Sequence, residues 1–309
     1  MSFESPGYGH SFATILKSRM TSLNKPTVCS LKIQGFSIDE DPGTVEVLRY
    51  MPLARLLSLL ELEAMWFSRL GALQDEYEGT NPKGPRALLM RIGKESPDFK
   101  NAKTPWGGSY DELLAVTDNG RSGDVGRKML LVNCWFIGKT ETQKMWKDYG
   151  DGGKGIAIRS TVKRLATSFQ ISEQVGSFVG RVNYVDYETH NLGPRGEDQA
   201  LVPFLKDKSK FADENEARIV TLNSFHQGTL LPDGSPPVGG GFAHEIQGLY
   251  IKCSLQELIQ SIVVGPNTDW NFHMLMKRIV ARFGLTINVE HSKLPPFTGQ
   301  TAGGQGRDG

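Results

Sequence analysis

Two carboxylates and a guanidinium stand at alternate positions in Asp213-Glu214-Asn215-Glu216-Ala217-Arg218-Ile219-Val220. The run reads as part of a strand over 214–222, and alternate side chains of a strand share a face. Glu214, Glu216 and Arg218 then line one side, while Ala217 and Ile219 pack on the other. Carboxylates two strand residues apart lie about 7 Å from each other, and burying them beside an Arg is costly unless they are paired. One carboxylate held ionised by Arg218 can stabilise a developing cation or orient a sugar hydroxyl. The same pattern fits an exposed salt-bridge ladder on an edge strand. Both readings stay open on these residues alone.

Other side chains can face the same cleft. Arg49 and Tyr50 close a first core strand, and Trp66, Phe67 and Ser68 close the next. An acidic turn over 74–78 adds Asp75 and Glu78. Asp75, Glu78, Glu214 and Glu216 together make a set of hard oxygen donors that suits Mg²⁺, and hence a metal-dependent nuclease. Trp146 and Tyr149 lie three apart on one helical face, a pattern shared by core packing and by the wall of a nucleotide pocket. Cys134 falls inside an apolar strand, a poor setting for a nucleophilic thiolate. Gly152-Gly153-Lys154-Gly155 precedes a strand rather than a helix, so it is no phosphate loop. Gly265-Pro266-Asn267-Thr268 can offer a helix N-terminus to an anion or simply cap that helix. The three cysteines and six histidines show no paired ligand spacing, so neither a disulfide framework nor a structural metal is expected.

A sheet has to hold these groups. After a strand over 44–49, Pro52 opens a helix where its missing N–H costs nothing, and Leu53, Leu56, Leu57 and Leu60 make one apolar stripe. A strand over 64–68 follows, and the apolar run 129–137 predicts a buried central strand. Thr140 and Gln143 predict a capping box for a short helix through Trp146 and Tyr149, which Gly150, Gly152, Gly153 and Gly155 end. Beyond it the pattern predicts strand 156–159, helix 161–169, strand 178–187, helix 200–211 and strand 214–222. A Gly/Pro-rich loop over 231–241 leads to strand 247–253, a helical turn at 255–259, strand 261–264, helix 268–283 and strand 286–291. The fold class is α+β, a mixed, interrupted β-sheet with flanking helices. Residues 1–45 read as a lead-in with at most one short strand over 28–34. Residues 46–295 read as one catalytic-type domain, with a loop-rich basic insertion at about 80–128 that holds a helix near 86–92. Residues 296–309 read as a disordered Gly-rich tail.

Arg49, Ser68 and Glu214-x-Glu216, in that chain order, resemble the Arg–Ser–Glu class of ADP-ribosyltransferases. The resemblance implies that Arg49 holds the diphosphate of NAD, with Tyr50 beside it, and that Trp66 and Ser68 shape the nicotinamide end. It implies further that Glu216 acts on the ribose and that Glu214 positions the acceptor. Loss of nicotinamide leaves an oxocarbenium-like ribose that a fixed carboxylate stabilises, and a bidentate Arg suits a pyrophosphate. The gap of 19 residues from Arg49 to Ser68 is closer to the DNA-targeting ADP-ribosyltransferase toxins, whose opening is strand, helix, strand, than to the secreted ones.

Over about 47–295 the chain also resembles the mainly bacterial family called domain of unknown function 2971. The likeness rests on Leu48-Arg49-Tyr50, Met65-Trp66-Phe67-Ser68, Asp75-Glu76-Tyr77-Glu78, Cys134-Trp135-Phe136 and Met145-Trp146-Lys147-Asp148-Tyr149. It continues through Gly155-Ile156-Ala157-Ile158, Lys208-Ser209-Lys210-Phe211-Ala212-Asp213-Glu214-Asn215-Glu216-Ala217-Arg218 and Ile262-Val263-Val264-Gly265-Pro266. Gln74 and Glu76 stand where the family has Asn and Pro, and Phe211 and Ala217 stand where it has Trp. Lys208 stands at the family's Lys, which fits a phosphate contact and an exposed helix lysine equally, and with Trp146, Tyr149 and Arg218 it joins the cofactor-binding set. Together the two resemblances imply a bacterial toxin or anti-phage effector that consumes NAD, with an antitoxin or defence-system protein as partner.

Composition sets the outer limits. The chain has 309 residues, 39% hydrophobic, with 35 Gly, 16 Pro and a net charge of +1, which excludes disorder, collagen and coiled coil as overall descriptions. Residues 80–164 hold 16 Lys and Arg against 9 Asp and Glu. Such a stretch can hold nucleic acid or simply be a solvated face. No apolar run reaches membrane-helix length and the N-terminus lacks a secretory core, so a cytoplasmic protein with no membrane partner is expected. Three functions stay open: an NAD-consuming transferase, a Mg²⁺-dependent nuclease, and a non-catalytic sensor or assembly module whose buried ion pairs only specify the fold.

Overall fold

The computed structural model describes residues 31–37, 39–73, 75, 77–96, 98, 101, 109–111, 126–171, 176–190, 201–239, 241–243 and 245–297. Most of the lead-in, much of the basic insertion, Gln74 and Glu76 of the acidic turn, Ala200 and the tail beyond Phe297 lie outside the described residues.

β1 (Lys32–Gln34) is followed by β2 (Glu46–Met51), which runs into α1 (Leu53–Leu62). Pro52 is the N-cap of that helix, at φ −65°, one position earlier than expected. The helix buries Leu56, Leu59 and Leu60, whereas Leu57, expected on the stripe, is exposed. Glu63, at φ 48°, ends it, and β3 (Ala64–Arg69) returns. α2 (Gly84–Glu95) lies in the basic stretch, and β4 (Leu130–Ile137) follows, buried except at Cys134. α3 (Gln143–Tyr149) starts on Thr142, whose side chain accepts from the Met145 N–H; the cap is therefore Thr142 rather than the expected Thr140. β5 (Ile156–Thr161) and α4 (Val162–Thr167) share Thr161, the last strand residue and the helix cap.

The strand expected over 178–187 is two strands, β6 (Phe178–Arg181) and β7 (Asn183–Val185). They part at Val182, whose N–H is taken by the Glu216 carbonyl. The helix expected over 200–211 is interrupted: a 3-10 turn over 201–204 gives way to β8 (Leu205–Asp207), and the single turn α5 (Lys208–Phe211) follows. Asp207 caps the Ser209 N–H and starts the helix there, while Leu205, Lys206 and Asp207 pair in parallel with β7. β9 (Glu216–Leu222) is buried along its whole length, which rules out the exposed edge ladder.

β10 (Ser224–Phe225) and β11 (Thr229–Leu230) precede the Gly/Pro-rich loop, and β12 (Gly241–Phe242) begins at its end. β13 (Gly248–Lys252), α6 (Leu255–Leu258), β14 (Ser261–Val264), α7 (Trp270–Arg282) and β15 (Asn288–His291) complete the described chain. Eleven strands join one mixed sheet in the order β1-β6-β9-β4-β2-β5-β14-β15, with a branch β4-β3-β13-β11. The result is α+β, a mixed open sheet with helices. Among the described residues no helix is long and apolar enough to cross a membrane.

The branch makes a fork. On its edge away from β9, β4 pairs with β3 through Leu131 and Val132 and with β2 through Phe136 and Ile137. Two side chains satisfy backbone carbonyls left over between the tines. Asn133 Nδ2 donates to the Trp66 carbonyl at 2.8 Å, and Arg49 Nη1 donates to the Cys134 carbonyl. The main core packs Trp135, Ala217, Ile219, Phe67 and Ile158 with Leu56, Leu60, Leu165 and Leu258. A smaller cluster of Leu48, Tyr50, Phe136, Met145, Trp146, Ala157 and Val263 lies under α3.

Candidate functional site

β9 starts at Glu216, not at Glu214. Ala212–Glu214 form a 3-10 turn, and Asn215 takes the left-handed conformation at φ 37° and ψ 62°. Asn tolerates that region better than most residues, and its amide donates to the Ile137 carbonyl at 2.6 Å. The turn carries Glu214 off the strand, so that Glu214 and Glu216 reach one cation from two directions. That cation is Lys206 of β8, 8% exposed. Its Nζ donates to Glu214 Oε2 and to Glu216 Oε2, the latter at 3.2 Å, and lies 3.7 Å from Glu78 Oε1. Tyr184, opposite Lys206 in the β7–β8 register, accepts the Glu216 N–H at 2.9 Å.

Behind Lys206 lies Arg218, fully buried. Its Nε and Nη2 donate to Glu216 at 2.6 and 3.1 Å, and Nη1 and Nη2 donate to Glu78 at 2.7 Å each. Nη1 also donates to the Pro203 carbonyl at 2.9 Å. All five guanidinium N–H groups are thereby used. Glu78 reaches this strand from 140 residues away.

The electrostatics follow from that geometry. Burial raises the Glu216 carboxyl, but the charges of Arg218 and Lys206 outweigh it and bring the pKa down to about 2. Burial alone would lower Lys206, yet the surrounding glutamates push it well up, so it stays charged. Arg218 is raised in the same way. Burial and the neighbouring glutamates push up the hydroxyls of Tyr149 and Tyr184 and the Cys134 thiol, keeping all three neutral. Three carboxylates against two cations can hold a fixed negative potential, able to stabilise positive charge developing nearby.

Tyr149 stands at the rim, 45% exposed, and donates to Glu214 Oε1 at 2.8 Å. Phe211 closes another side, its ring centroid 4.4 Å from Lys206 Nζ. Trp146, expected beside Tyr149, is fully buried against Tyr50 at 4.9 Å between ring centroids, so it and Tyr50 are core. Trp66 and Ser68 bond each other at 3.1 Å, and Trp66 packs on Tyr250. Strand alternation through the Ser68–Val132 pair puts them on the face of Arg218. Arg49 falls on the opposite alternation and spends Nη1 on the Cys134 carbonyl, although the charge of Glu216 still acts on it. Lys208 is exposed and lines a neighbouring cleft of about 520 Å³ with Tyr77, Tyr187 and Asp207; the cation inside the site is Lys206.

The four carboxylates read as a Mg²⁺ set are each engaged elsewhere. Asp75 accepts the Tyr77 N–H of its own turn at 3.1 Å. Glu78, Glu214 and Glu216 are occupied by Arg218 and Lys206, which stand where a divalent ion would have to bind. Among the described residues no three His, Cys, Asp or Glu are grouped to hold a metal ion. Sequence reasoning missed Lys206, Tyr184 and the Glu78–Arg218 pairing. A lone cation closing the apolar run 200–205 was the available signal for the first. No family model matches the chain, and neither the curated proteins nor the solved structures hold a match to it.

Proposed function

We propose that this chain is an NAD-consuming enzyme of ADP-ribosyltransferase type, with Glu216 as the fixed charge and Glu214 as the carboxylate that meets substrate. One observation carries the reading. Glu216 is a buried carboxylate kept ionised by two cations, and a second buried carboxylate, Glu214, shares a hydrogen bond with the half-exposed tyrosine at the rim. When nicotinamide leaves, the ribose becomes oxocarbenium-like, and a negative charge already fixed in place stabilises it without reorganising. Glu214, holding Tyr149 on one oxygen and Lys206 on the other, is placed to orient a ribose or acceptor hydroxyl. The strand–helix–strand opening β2–α1–β3 and the shared face of Trp66, Ser68 and Glu216 are in keeping with a likeness to the DNA-targeting ADP-ribosyltransferase toxins. A diphosphate would have to compete with the Cys134 carbonyl for Arg49. On this reading the basic residues of 80–164 hold a nucleic-acid acceptor. A toxin or anti-phage effector of this kind acts in the cytoplasm and needs a neutralising partner protein.

A second reading, a non-catalytic module, is favoured by the complete use of the Arg218 donors, since such a network specifies a fold whether or not it reacts. Incubation of the protein with NAD, alone and with DNA, RNA or cell lysate, separates the two. The transferase reading expects nicotinamide release, insensitive to EDTA, that falls about 100-fold in Glu214→Gln and Glu216→Gln while both stay folded. Absence of release from the folded wild-type chain under all these conditions leaves the module.

A further inference from the structure

Glu141 precedes α3, and its carboxylate joins two parts of the chain that are far apart in sequence. Oε2 accepts the Trp146 indole N–H at 2.9 Å and the Ser292 hydroxyl, and Oε1 accepts the Lys293 N–H at 3.4 Å. Ser292 and Lys293 open a strap, residues 292–297, that follows β15 and lies over α3. The strap is anchored at its far end too. The Asn267 amide donates to the Phe297 carbonyl at 2.7 Å and accepts the Phe297 N–H at 2.8 Å. Leu294 and Phe297 pack on the small cluster that holds Trp146, and the Phe297 ring lies 5.6 Å from Lys147 Nζ of α3. Gly153, at φ +85°, leaves room for that ring; a Cβ there would come within 2.8 Å of it.

α3 has seven residues. A helix so short has little stability of its own, and its neighbours decide where it sits. Its last residue is Tyr149, the rim group that bonds Glu214. The other link between α3 and the 3-10 turn, Lys144 to Asp213 at 3.9 Å, is solvent-exposed and correspondingly weak. Glu141 grips α3 one turn before Tyr149, through Trp146, and fastens that grip to the strap.

We infer that Glu141 is a positioning residue, which locks the strap of residues 292–297 onto α3 and thereby seats Tyr149 on Glu214. The inference deepens the proposed function and rests on it only in taking Tyr149 as the substrate-facing rim over Glu214. Loss of the lock frees α3 without disturbing β9.

Two readouts that need no turnover test it, so its failure is distinguishable from failure of the NAD reading. Hydrogen exchange of the α3 amides should quicken about tenfold in Glu141→Ala, with the β9 amides unchanged. Nitration of Tyr149 by tetranitromethane, followed by peptide mass, should quicken with it as the hydroxyl leaves Glu214. Glu141→Gln keeps an acceptor oxygen for Trp146 and Ser292 and should restore most of the protection. Ser292→Ala, milder in case Glu141→Ala fails to fold, should show the same local pattern at smaller size. Equal acceleration in α3 and β9, or none in either, or no rescue by Gln, overturns the inference.

Discussion

Glu216→Gln at different pH values asks whether the buried carboxylate is charged because its neighbours make it so. The wild-type side chain has its pKa lowered from the ordinary 4.5 to about 2. A depressed carboxylate contributes stability that is fully present above its unfolded pKa and is lost as pH falls toward its folded one. The shift from 4.5 to about 2 corresponds to about 3 kcal/mol at pH 7. At pH 3, midway through the window, less than half of that is left on the same arithmetic. Gln cannot carry the charge, so the stability gap between wild type and variant should follow that curve. In melting temperature it corresponds to roughly 5–8 °C at neutral pH and less than half of that at pH 3. Thermal unfolding of both proteins across pH 3 to 7, read by circular dichroism, measures the gap directly. Carboxylates remote from Glu216 titrate alike in both proteins and cancel in the difference. A gap that stays constant across the range would refute the reasoning, because it would mean that Glu216 contributes shape and not charge.

The other expected outcomes concern its neighbours. Arg218→Lys keeps the charge but cannot fork to two carboxylates and the Pro203 carbonyl, and should lower stability by about 3 kcal/mol in urea unfolding. A loss under 1 kcal/mol would show that the fork geometry is dispensable. Asn215→Val places a β-branched residue at φ 37° and removes the bond to the Ile137 carbonyl, and should cost about 2 kcal/mol. Asn215→Gly, which tolerates the conformation, should recover about half of that in the same unfolding assay.

What could be read before the fold was known were the local rules. The 261–264 strand, the helix after Pro52 and the buried central strand before Trp146 each follow from a few neighbouring residues, and each stands within a residue or two of its expected place. Glu216 and Arg218 do share a face of β9 and pair there, whereas Glu214 has left the strand and meets Glu216 only through a cation from another strand. Lys206 was hidden because the run before it looks helical until Asp207 caps a later start. Glu78 was visible as an acidic turn residue, yet nothing local says that it crosses 140 residues to Arg218. Arg49 shows the same limit. Its place at the end of a strand was legible, whereas its use as a substitute ladder donor depends on a fork that only long-range pairing creates.

The fork has a further consequence, for association between molecules. An open sheet ordinarily exposes two edge strands, each a row of unpaired amides that another chain can extend. A branched sheet has three ends: here, among the described residues, β1, β15 and β11. They are the places where unwanted strand addition would begin, and each is blunted. β1 is three residues with Lys32 and Gln34 on it, and β15 is four, with Asn288, Glu290 and His291 around one buried valine. β11, the end that the branch adds, is only two residues long, too short to template a neighbour. Lengthening β11 by apolar residues would turn the tip of the branch into a docking edge, and the chain would be expected to self-associate there first.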